Sequence, residues 1–313
     1  AGADATAPPV ATSAWLPDLD GNGFLDMVTG YPTAMGSGVL AGNATGAIVL
    51  QLLADGLSAT SVSDEVQLTA QQALQTTFGG TYTEDRIPNT EFGASIACPG
   101  HIGWGPAPEL LVGAPGFNLA SGTVFVVSLD LEDGAIKDIT GFSTVFPVQD
   151  GRFGAALATS HLGGLAQAIV LSPGEAAKLR ALHFFAPSSS ALILPLSFMT
   201  VSSAASVDHF RAMQDPSFGA SVAAIQVYGS STPTALVAVG VPGMDSLGCI
   251  ALYLLTAVVF QSAGDGVVCA SSAGGAAPPP PSGAQLGLRG AHSAARAHGG
   301  VTAAGDTGRL PAL

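Results

Sequence analysis

A nine-residue segment near the start of the chain carries several side chains suited to holding a metal ion. In the segment "DLDGNGFLD" (18–26), oxygen donors occupy positions 1, 3, 5, 7 and 9: Asp18, Asp20, Asn22, the backbone carbonyl of Phe24, and Asp26. Calcium takes six to eight oxygen ligands at about 2.3–2.6 Å. Gly21 and Gly23 permit the positive φ angles that curl a short loop inward. The spacing predicts a Ca²⁺ site, and the alternative is an Asx-rich turn without metal.

The residues that follow this loop exclude an EF-hand. An EF-hand needs a bidentate Glu at position 12 and a helix on each side, but position 12 is Thr29. Residues 27–32 form a short apolar run closed by Gly and Pro, which is typical of a buried strand ending in a turn. The loop is therefore expected to join two β-strands.

The composition favours a β-rich domain and excludes some partners. The chain has 313 residues, 48% hydrophobic and 10% charged, with 41 glycines, 21 prolines and a net charge of −13. Such Gly and Pro content favours many short strands and turns. The acidic charge argues against nucleic acid as a partner. No apolar run reaches the roughly 18 residues that cross a bilayer, so no membrane span is expected; the start without Met suggests a mature form or a fragment.

A short motif recurs along the chain at a steady interval. "FGASIA", "FGAALA" and "FGASVA" begin at residues 92, 153 and 218, and the steps between them are 61 and 65 residues. Each is followed by an apolar run that ends near Gly and Pro ("ELLVGAPG", "AIVLSPG", "ALVAVGVPG") and then by another apolar strand. Residues 26–53 fit the same frame without the Phe-Gly segment. A period of about 60 residues with four short strands predicts the blades of a β-propeller, which is an all-β fold.

Phe-Gly, then Gly-Ala-Pro, with a D-x-D-x-N-G-x-x-D loop between strands, resembles the FG-GAP repeat of integrin α-subunit β-propellers. The resemblance covers about residues 11–265. It implies that the calcium loop lies between the first two strands of a blade, with Asp18, Asp20, Asn22, Phe24 and Asp26 as ligands. It also implies an extracellular or cell-surface location. The Phe of each Phe-Gly is expected to pack between blades, where its Gly allows a close backbone approach.

The chain departs from that family in metal loops and blade number. Glu109 occupies the ninth loop position of the second repeat, but the earlier positions are His101, Gly103 and Gly105. One calcium site is therefore expected. The integrin ring has seven blades and about four are recognisable here, which leaves a fragment, an incomplete ring, a smaller ring, or a ring with diverged blades as alternatives. The expected organisation is an N-terminal extension or truncated strand (1–10), propeller repeats (11–270) and a disordered Ala/Gly/Pro-rich tail (271–313).

The segments outside this frame carry weaker signals. Residues 66–91 are expected to lengthen the connection between the first two repeats, with a short helix at "TAQQALQ" and an exposed loop at 84–86. Asn43 begins an N-glycosylation sequon. Cys249 and Cys269 form a disulfide in an oxidising compartment or remain buried thiols like Cys98.

No catalytic motif emerges from the sequence. G-x-S-x-G, H-E-x-x-H and a phosphate-binding loop with Lys are absent. Six histidines have no nucleophile placed beside them; His101 and His161 are expected in loops, His183 in a strand, and the others are His209, His292 and His298. Asp208 and His209 with Arg211 suggest a charge pair.

The expected function is non-catalytic adhesion or recognition of a protein or glycan partner by a calcium-binding propeller. The alternative is the propeller module of a larger secreted hydrolase or lyase, phospholipase-like, and a third is a degenerate repeat protein without specific activity. The sequence leaves the partner and the oligomeric state open.

Overall fold

The structure is a computed structural model that describes residues 12–34, 45–53, 62–78, 89–100, 108–129, 136–142, 149–162, 165–172, 178–184, 197–200, 211–212, 214–215, 217–227, 234–245, 247–256 and 260–270. Several predicted features lie outside these ranges. They are the N-terminal extension 1–10, the sequon at Asn43, the loop 84–86, the loop positions 101–105, Asp208 with His209, and the tail 271–313.

Within the described residues, sixteen strands form four antiparallel four-stranded sheets, which confirms the all-β fold class. Strands that are consecutive in the chain are neighbours in each sheet. Sheet 1 contains β1 (Thr12–Leu16), β2 (Asp26–Tyr31), β3 (Ala47–Leu53) and β4 (Val62–Thr69). Sheet 2 contains β5 (Ser95–Gly100), β6 (Glu109–Ala114), β7 (Thr123–Leu129) and β8 (Ile136–Phe142).

The other two sheets repeat this order. Sheet 3 contains β9 (Ala156–Leu162), β10 (Leu165–Ser172), β11 (Lys178–Phe184) and β12 (Ser197–Thr200). Sheet 4 contains β13 (Ser221–Val227), β14 (Thr234–Val241), β15 (Cys249–Thr256) and β16 (Phe260–Cys269). Two helical elements complete the described part, α1 (Ala70–Phe78) and the short α2 (Phe117–Ala120).

The sheets stack on one another through apolar faces. Alternate side chains of sheet 1, including Val28 and Leu50, share one core with Leu110, Val112 and Phe125 of sheet 2. A second core joins β9 to the side chains of sheet 4 that point toward it. The first strands are also in contact in sequence, β1 with β5, β5 with β9, and β9 with β13. Sheets 1, 2 and 4 thus bury a face that none of them could bury alone, and β9 of sheet 3 contributes to the second core.

The Phe-Gly segments lie at the joints between sheets. Phe92 and Phe153 are fully buried and form parallel bridges with Gly46 and Gly122 of the preceding sheet. A Cβ on the glycine of either pair, Gly93 or Gly154, would lie 2.7 Å from a backbone carbonyl oxygen of the preceding sheet, so only glycine fits there. The expected packing of Phe between sheets and the close backbone approach at Phe-Gly are therefore confirmed for these two joints.

Helix α1 begins with a capping box, which the sequence analysis overlooked. The Thr69 hydroxyl oxygen accepts the N–H of Gln72 at 3.3 Å, and the Gln72 side-chain oxygen accepts the N–H of Thr69 at 2.9 Å. This reciprocal pair satisfies N–H groups that a helix start leaves free. Ala73 and Leu74 then bury one side of the helix in the first core. The predicted short helix is confirmed, but the fourth strand of sheet 1 occupies residues 62–69, so the connecting segment begins later than residue 66.

One expectation about local structure was wrong. His161 lies in β9 and not in a loop, because β9 and β10 form a hairpin whose pairing extends to Leu162 and Leu165. Sheet 1 has a first strand without Phe-Gly before the acidic loop: β1 pairs with β2 from Thr12↔Gly30 to Leu16↔Asp26. His183 lies in β11 as expected.

Candidate metal centre

The acidic loop joins β1 to β2, as the spacing predicted. Gly21 and Gly23 have φ of 75° and 91°, a conformation that costs other residues about 1–2 kcal/mol. These two positive φ angles fold the loop so that its polar side chains turn back onto its own backbone. One carboxylate oxygen from each of Asp18, Asp20 and Asp26 then lies within 4.8 Å of the others.

The two partly exposed carboxylates are held by backbone donors of the loop. Asp18 accepts the N–H of Asn22 at 3.0 Å and the N–H of Gly23 at 2.7 Å, one on each oxygen. Asp20 accepts the N–H of Asn22 at 3.2 Å and its side-chain amide at 3.0 Å. These are Asx-turn contacts, which organise a loop with or without a cation.

Asp26 is fully buried and links two strands. One of its oxygens accepts the N–H of Leu19 at 2.7 Å, and the other accepts the N–H of Leu53 at the end of β3 at 2.9 Å. Burial raises the pKa of the Asp26 carboxyl above its ordinary value of 3.8; these two hydrogen bonds lower it, and the nearby carboxylates of Asp20 and Asp18 raise it. The site therefore concentrates negative charge around a buried group.

The two remaining predicted ligands have different roles. The Asn22 side-chain oxygen accepts the N–H of Phe24 at 2.8 Å, and its amide donates to the Leu53 carbonyl at 2.8 Å. Asn22 thus ties the loop to the end of β3. The Phe24 side chain is exposed. The structure brings together the carboxylates of Asp18, Asp20 and Asp26. Asn22 forms hydrogen bonds with the backbone of Phe24 in the loop and of Leu53 in β3.

Leu53 contributes to the site without any signal in the sequence. Its N–H and carbonyl anchor Asp26 and Asn22 from a strand 27 and 31 residues away. Apolar residues give no pattern for such backbone contacts, and only the β2–β3 register, in which Met27 pairs with Gln51, brings Leu53 to the loop.

The donor set fits a hard cation. Three carboxylates that approach this closely repel one another, and a positive ion among them removes that repulsion. All the side-chain donors are oxygens, the ligand type that Ca²⁺ and Mg²⁺ prefer. Each carboxylate oxygen has two lone pairs, so the backbone contacts leave capacity for a cation.

The equivalent position in sheet 2 is also acidic and buried. Glu109 begins β6 as Asp26 begins β2, and only 1% of its surface is exposed. The other positions of its loop, 101–105, are outside the described ranges, so the expectation of a single metal site remains a prediction.

A second group of possible ligands lies in sheet 4. Oxygen or sulfur atoms of Asp245, Cys249 and Cys269 lie within 4.8 Å of one another. Cys249 and Cys269 are directly opposed on β15 and β16 and form a disulfide, so their sulfurs are not thiolate ligands. Cys98, in β5, is half-buried and takes no part in that disulfide. Arg211, expected beside Asp208, forms a partly exposed ion pair with Asp245 at 3.2 Å.

A comparison of the chain with protein-family models found no matching family, and a comparison with curated proteins found no similar sequence. Among the residues that the structure describes, none of the helices has the length and apolar character needed to cross a membrane.

Proposed function

We propose that the chain is a calcium-stabilised β-propeller module that recognises a protein or glycan partner outside the cell or at its surface, without catalysis. The main support for this proposal is that Asp18, Asp20 and Asp26 converge at the junction of β1, β2 and β3. An ion held there would fix the first loop to the sheet. Asp18, Asp20, Asn22, Asp26 and the carbonyl of Phe24 are the proposed ligands.

Support for a propeller comes from the sheets. Each contains four antiparallel strands in chain order, and the first strands contact one another from one sheet to the next. Stacked meanders with neighbouring first strands are the arrangement of propeller blades. The Phe-Gly segments at 92 and 153 and the Gly-Ala-Pro segment at 113 resemble FG-GAP repeats and lie at these joints.

Support for an oxidising compartment comes from the disulfide in sheet 4. Cys249 and Cys269 are bonded across the strand pair, and such bonds persist mainly in secreted and cell-surface proteins. The net charge of −13 suits a calcium-rich environment outside the cell.

Calcium titration of purified protein by calorimetry tests the metal site. Asp20→Asn should weaken calcium binding by about tenfold or more, equivalent to about 1.4 kcal/mol, because it removes one negative ligand without changing size. Calcium should also raise the melting temperature of the wild type, since a ligand that binds only the folded state stabilises it.

Asp150→Asn is the matched control. Asp150 is an exposed carboxylate outside the loop, with φ of 60°, which Asn tolerates. It should bind calcium like the wild type. Equal melting temperatures of the wild type in calcium and in chelator would reject the metal-stabilised module.

The recognition role requires its own test. Purified protein is applied to a glycan array and to immobilised extracellular-matrix proteins, in calcium and in chelator. We expect saturable binding that Asp20→Asn weakens and Asp150→Asn leaves unchanged. Hydrolysis of phospholipid or ester substrates by the same preparation would contradict a non-catalytic role.

A further inference from the structure

Two cysteines and one aspartate meet at one end of sheet 4. Cys249 begins β15, Cys269 ends β16, and the two residues are directly opposite each other in that strand pair. Asp245 lies in the turn that connects β14 to β15. The two sulfurs form a disulfide in the structure. This group is separate from the acidic loop of sheet 1.

The Asp245 carboxylate contacts the sulfur pair with one oxygen and a guanidinium group with the other. Its Oδ2 atom lies 3.4 Å from Cys269 Sγ and 3.9 Å from Cys249 Sγ. Its Oδ1 atom accepts a hydrogen bond from Arg211 at 3.2 Å. Disulfide sulfurs carry no hydrogen, so Oδ2 receives no S–H donor from them in this state. The same placement suits the reduced state, in which the sulfurs donate hydrogen bonds or bind an ion together with Oδ2.

Once the sulfurs are reduced, the three donors are ligand types that zinc takes. Thiolates are soft ligands that favour Zn²⁺ over Ca²⁺. Zn–S bonds of about 2.3 Å and Zn–O bonds of about 2.0 Å place two tetrahedral ligands about 3.5–3.8 Å apart. The distances from Asp245 Oδ2 to the two sulfurs are close to that separation. Without the S–S bond, rotation of the cysteine side chains can bring the sulfurs to the same separation.

The surroundings of these donors also suit a cation. Cys249 is fully buried and Cys269 half-buried, whereas the side chain of Asp245 is 43% exposed, so the group is reached from solvent on one side. Two thiolates and a carboxylate carry three negative charges, which Zn²⁺ and Arg211 together balance. Arg211 holds the second oxygen of Asp245, and metal-ligating carboxylates are usually held by such an outer partner.

We propose that Cys249, Cys269 and Asp245 form a zinc site when the disulfide is reduced, with water as the fourth ligand. Reduction by a thiol proceeds by exchange: two reductant thiols become a disulfide, the Cys249–Cys269 bond breaks, and each protein sulfur gains one hydrogen. Zn²⁺ then binds the two thiolates and releases both protons to solvent. β15 and β16 are thus linked in both states, by a covalent bond in one and by an ion in the other.

Titration of the full chain with Co²⁺, with and without prior reduction, tests the proposal. A phosphine is the reductant, because it adds no thiolate of its own; it takes oxygen from water, and the hydrogens go to the two sulfurs. Thiolates bound to Co²⁺ absorb in the near ultraviolet by charge transfer, and oxygen ligands do not. We expect this absorption to saturate at one Co²⁺ per reduced chain and to disappear when Zn²⁺ displaces Co²⁺.

The charge-transfer absorption separates this site from the acidic loop. Co²⁺ held by the carboxylates of sheet 1 would give no sulfur absorption, whether or not that loop binds calcium. A reduced chain without the absorption overturns the proposal. Equal absorption in the oxidised chain overturns it as well, because the disulfide sulfurs are not thiolates.

Variants assign the three ligands. Asp245→Asn should weaken metal binding by the reduced chain about tenfold or more and keep the sulfur absorption, because both thiolates remain. Cys269→Ser should abolish saturation at one Co²⁺ per chain in the same concentration range. Asp150→Asn, a matched exposed carboxylate, and Cys98→Ala should bind like the wild type. Unchanged affinity of Asp245→Asn, or loss of the absorption in Cys98→Ala, would overturn the assignment.

Thermal unfolding covers the case in which reduction destabilises sheet 4. The reduced chain without metal should melt at a lower temperature than the oxidised chain, because it loses a covalent constraint. Zn²⁺ should raise the melting temperature of the reduced chain. The increase should persist in Asp20→Asn, which alters only the acidic loop, and should be lost in Cys269→Ser. A reduced chain whose melting temperature does not respond to Zn²⁺ overturns the proposal.

Discussion

At the scale of single residues, the acidic loop contains two kinds of carboxylate. Asp26 is fully buried, and each of its oxygens accepts a backbone N–H, one from Leu19 and one from Leu53. Asp18 and Asp20 are partly exposed and accept N–H groups of the loop itself. Asp26 therefore stabilises the junction of loop and sheet whether or not a cation binds.

Replacing Asp26 by Asn tests the structural role of Asp26 separately from cation binding. Asn keeps one acceptor oxygen and presents an amide donor to either Leu19 or Leu53, which leaves a buried N–H without its partner. We expect Asp26→Asn to lower the free energy of unfolding by about 1–3 kcal/mol in chelator, measured by urea denaturation. Asp20→Asn should change it little under the same conditions. Equal stability of Asp26→Asn and wild type in chelator would refute the structural role.

The pKa of Asp26 also predicts how calcium stabilisation depends on pH. Burial raises this pKa, and Asp20 and Asp18 add to the effect against two opposing hydrogen bonds. A group whose pKa is higher in the folded state favours folding below its unfolded pKa, and that contribution is lost as pH rises through the folded pKa. In chelator, this contribution should therefore decline between acid and neutral pH.

Calcium should reverse that trend because it binds the ionised carboxylates. The difference in melting temperature between calcium and chelator should increase as pH rises through the folded pKa of Asp26. Asp20→Asn should flatten the increase, and Asp150→Asn should not. A difference that is constant over the range would exclude coupling between calcium and Asp26.

The sequence predicted part of this site for a clear reason. Alternate spacing and two flexible glycines bring Asp18 and Asp20 inward by local geometry alone. The hydrogen bonds of Leu53 depend on how β3 pairs with β2, and no local sequence pattern predicts that pairing. The Asx turn that occupies Asn22 competes with the ligand role that the spacing assigned to it.

At the scale of elements, glycines determine how closely two sheets approach. Gly113 of β6 lies against sheet 3, where a Cβ would be 2.1 Å from the Gly154 carbonyl oxygen and 2.2 Å from the Ser95 hydroxyl. Alanine in a strand interior ordinarily stabilises relative to glycine by about 0.5–1 kcal/mol. Because the backbone atoms approach so closely at Gly113, alanine there should destabilise the protein relative to glycine.

Gly113→Ala is expected to destabilise the protein by about 3 kcal/mol or more, at the upper end of overpacking effects, because backbone and not a flexible side chain must move. Gly23→Ala is the comparison: nothing lies within 4 Å of its Cβ position, so only the backbone cost of about 1–2 kcal/mol applies. Urea denaturation in chelator measures both. A smaller loss for Gly113→Ala than for Gly23→Ala would show that the sheets separate easily.

The position of the sheets was predictable, but some of their strands were not. Phe92, Phe153 and Phe218 each lie three residues before the first strand of a sheet, and at Phe92 and Phe153 the Phe-Gly pair forms the joint with the preceding sheet. Sheet 1 begins without that pair, so the acidic loop indicated a strand before it but not the bounds of β1. The Thr69–Gln72 capping box was present in the sequence and would have fixed the start of α1.

At the scale of the whole molecule, coverage of the sheets is unequal. The inner strands β6 and β7 of sheet 2 are buried on both faces, whereas sheets 1 and 4 each have one partly exposed face among the described side chains. In a stack whose units contact only their neighbours, local stability is the sum of each unit and its interfaces. Among the described residues, sheet 2 is stabilised by interfaces with sheets 1 and 3, and sheet 4 by its interface with sheet 3.

Hydrogen exchange of backbone amides should reflect this difference. β6 and β14 are both inner strands that pair on each side, and the pairing of β6 is regular at Leu111, Val112 and Gly113. Amides of these three residues should exchange more slowly than those of Thr234–Val241, because opening β6 exposes two buried apolar faces. The Cys249–Cys269 disulfide restrains β15 and β16 and reduces the contrast. Equal protection of the two strands would mean that stability does not follow sheet coverage in this molecule.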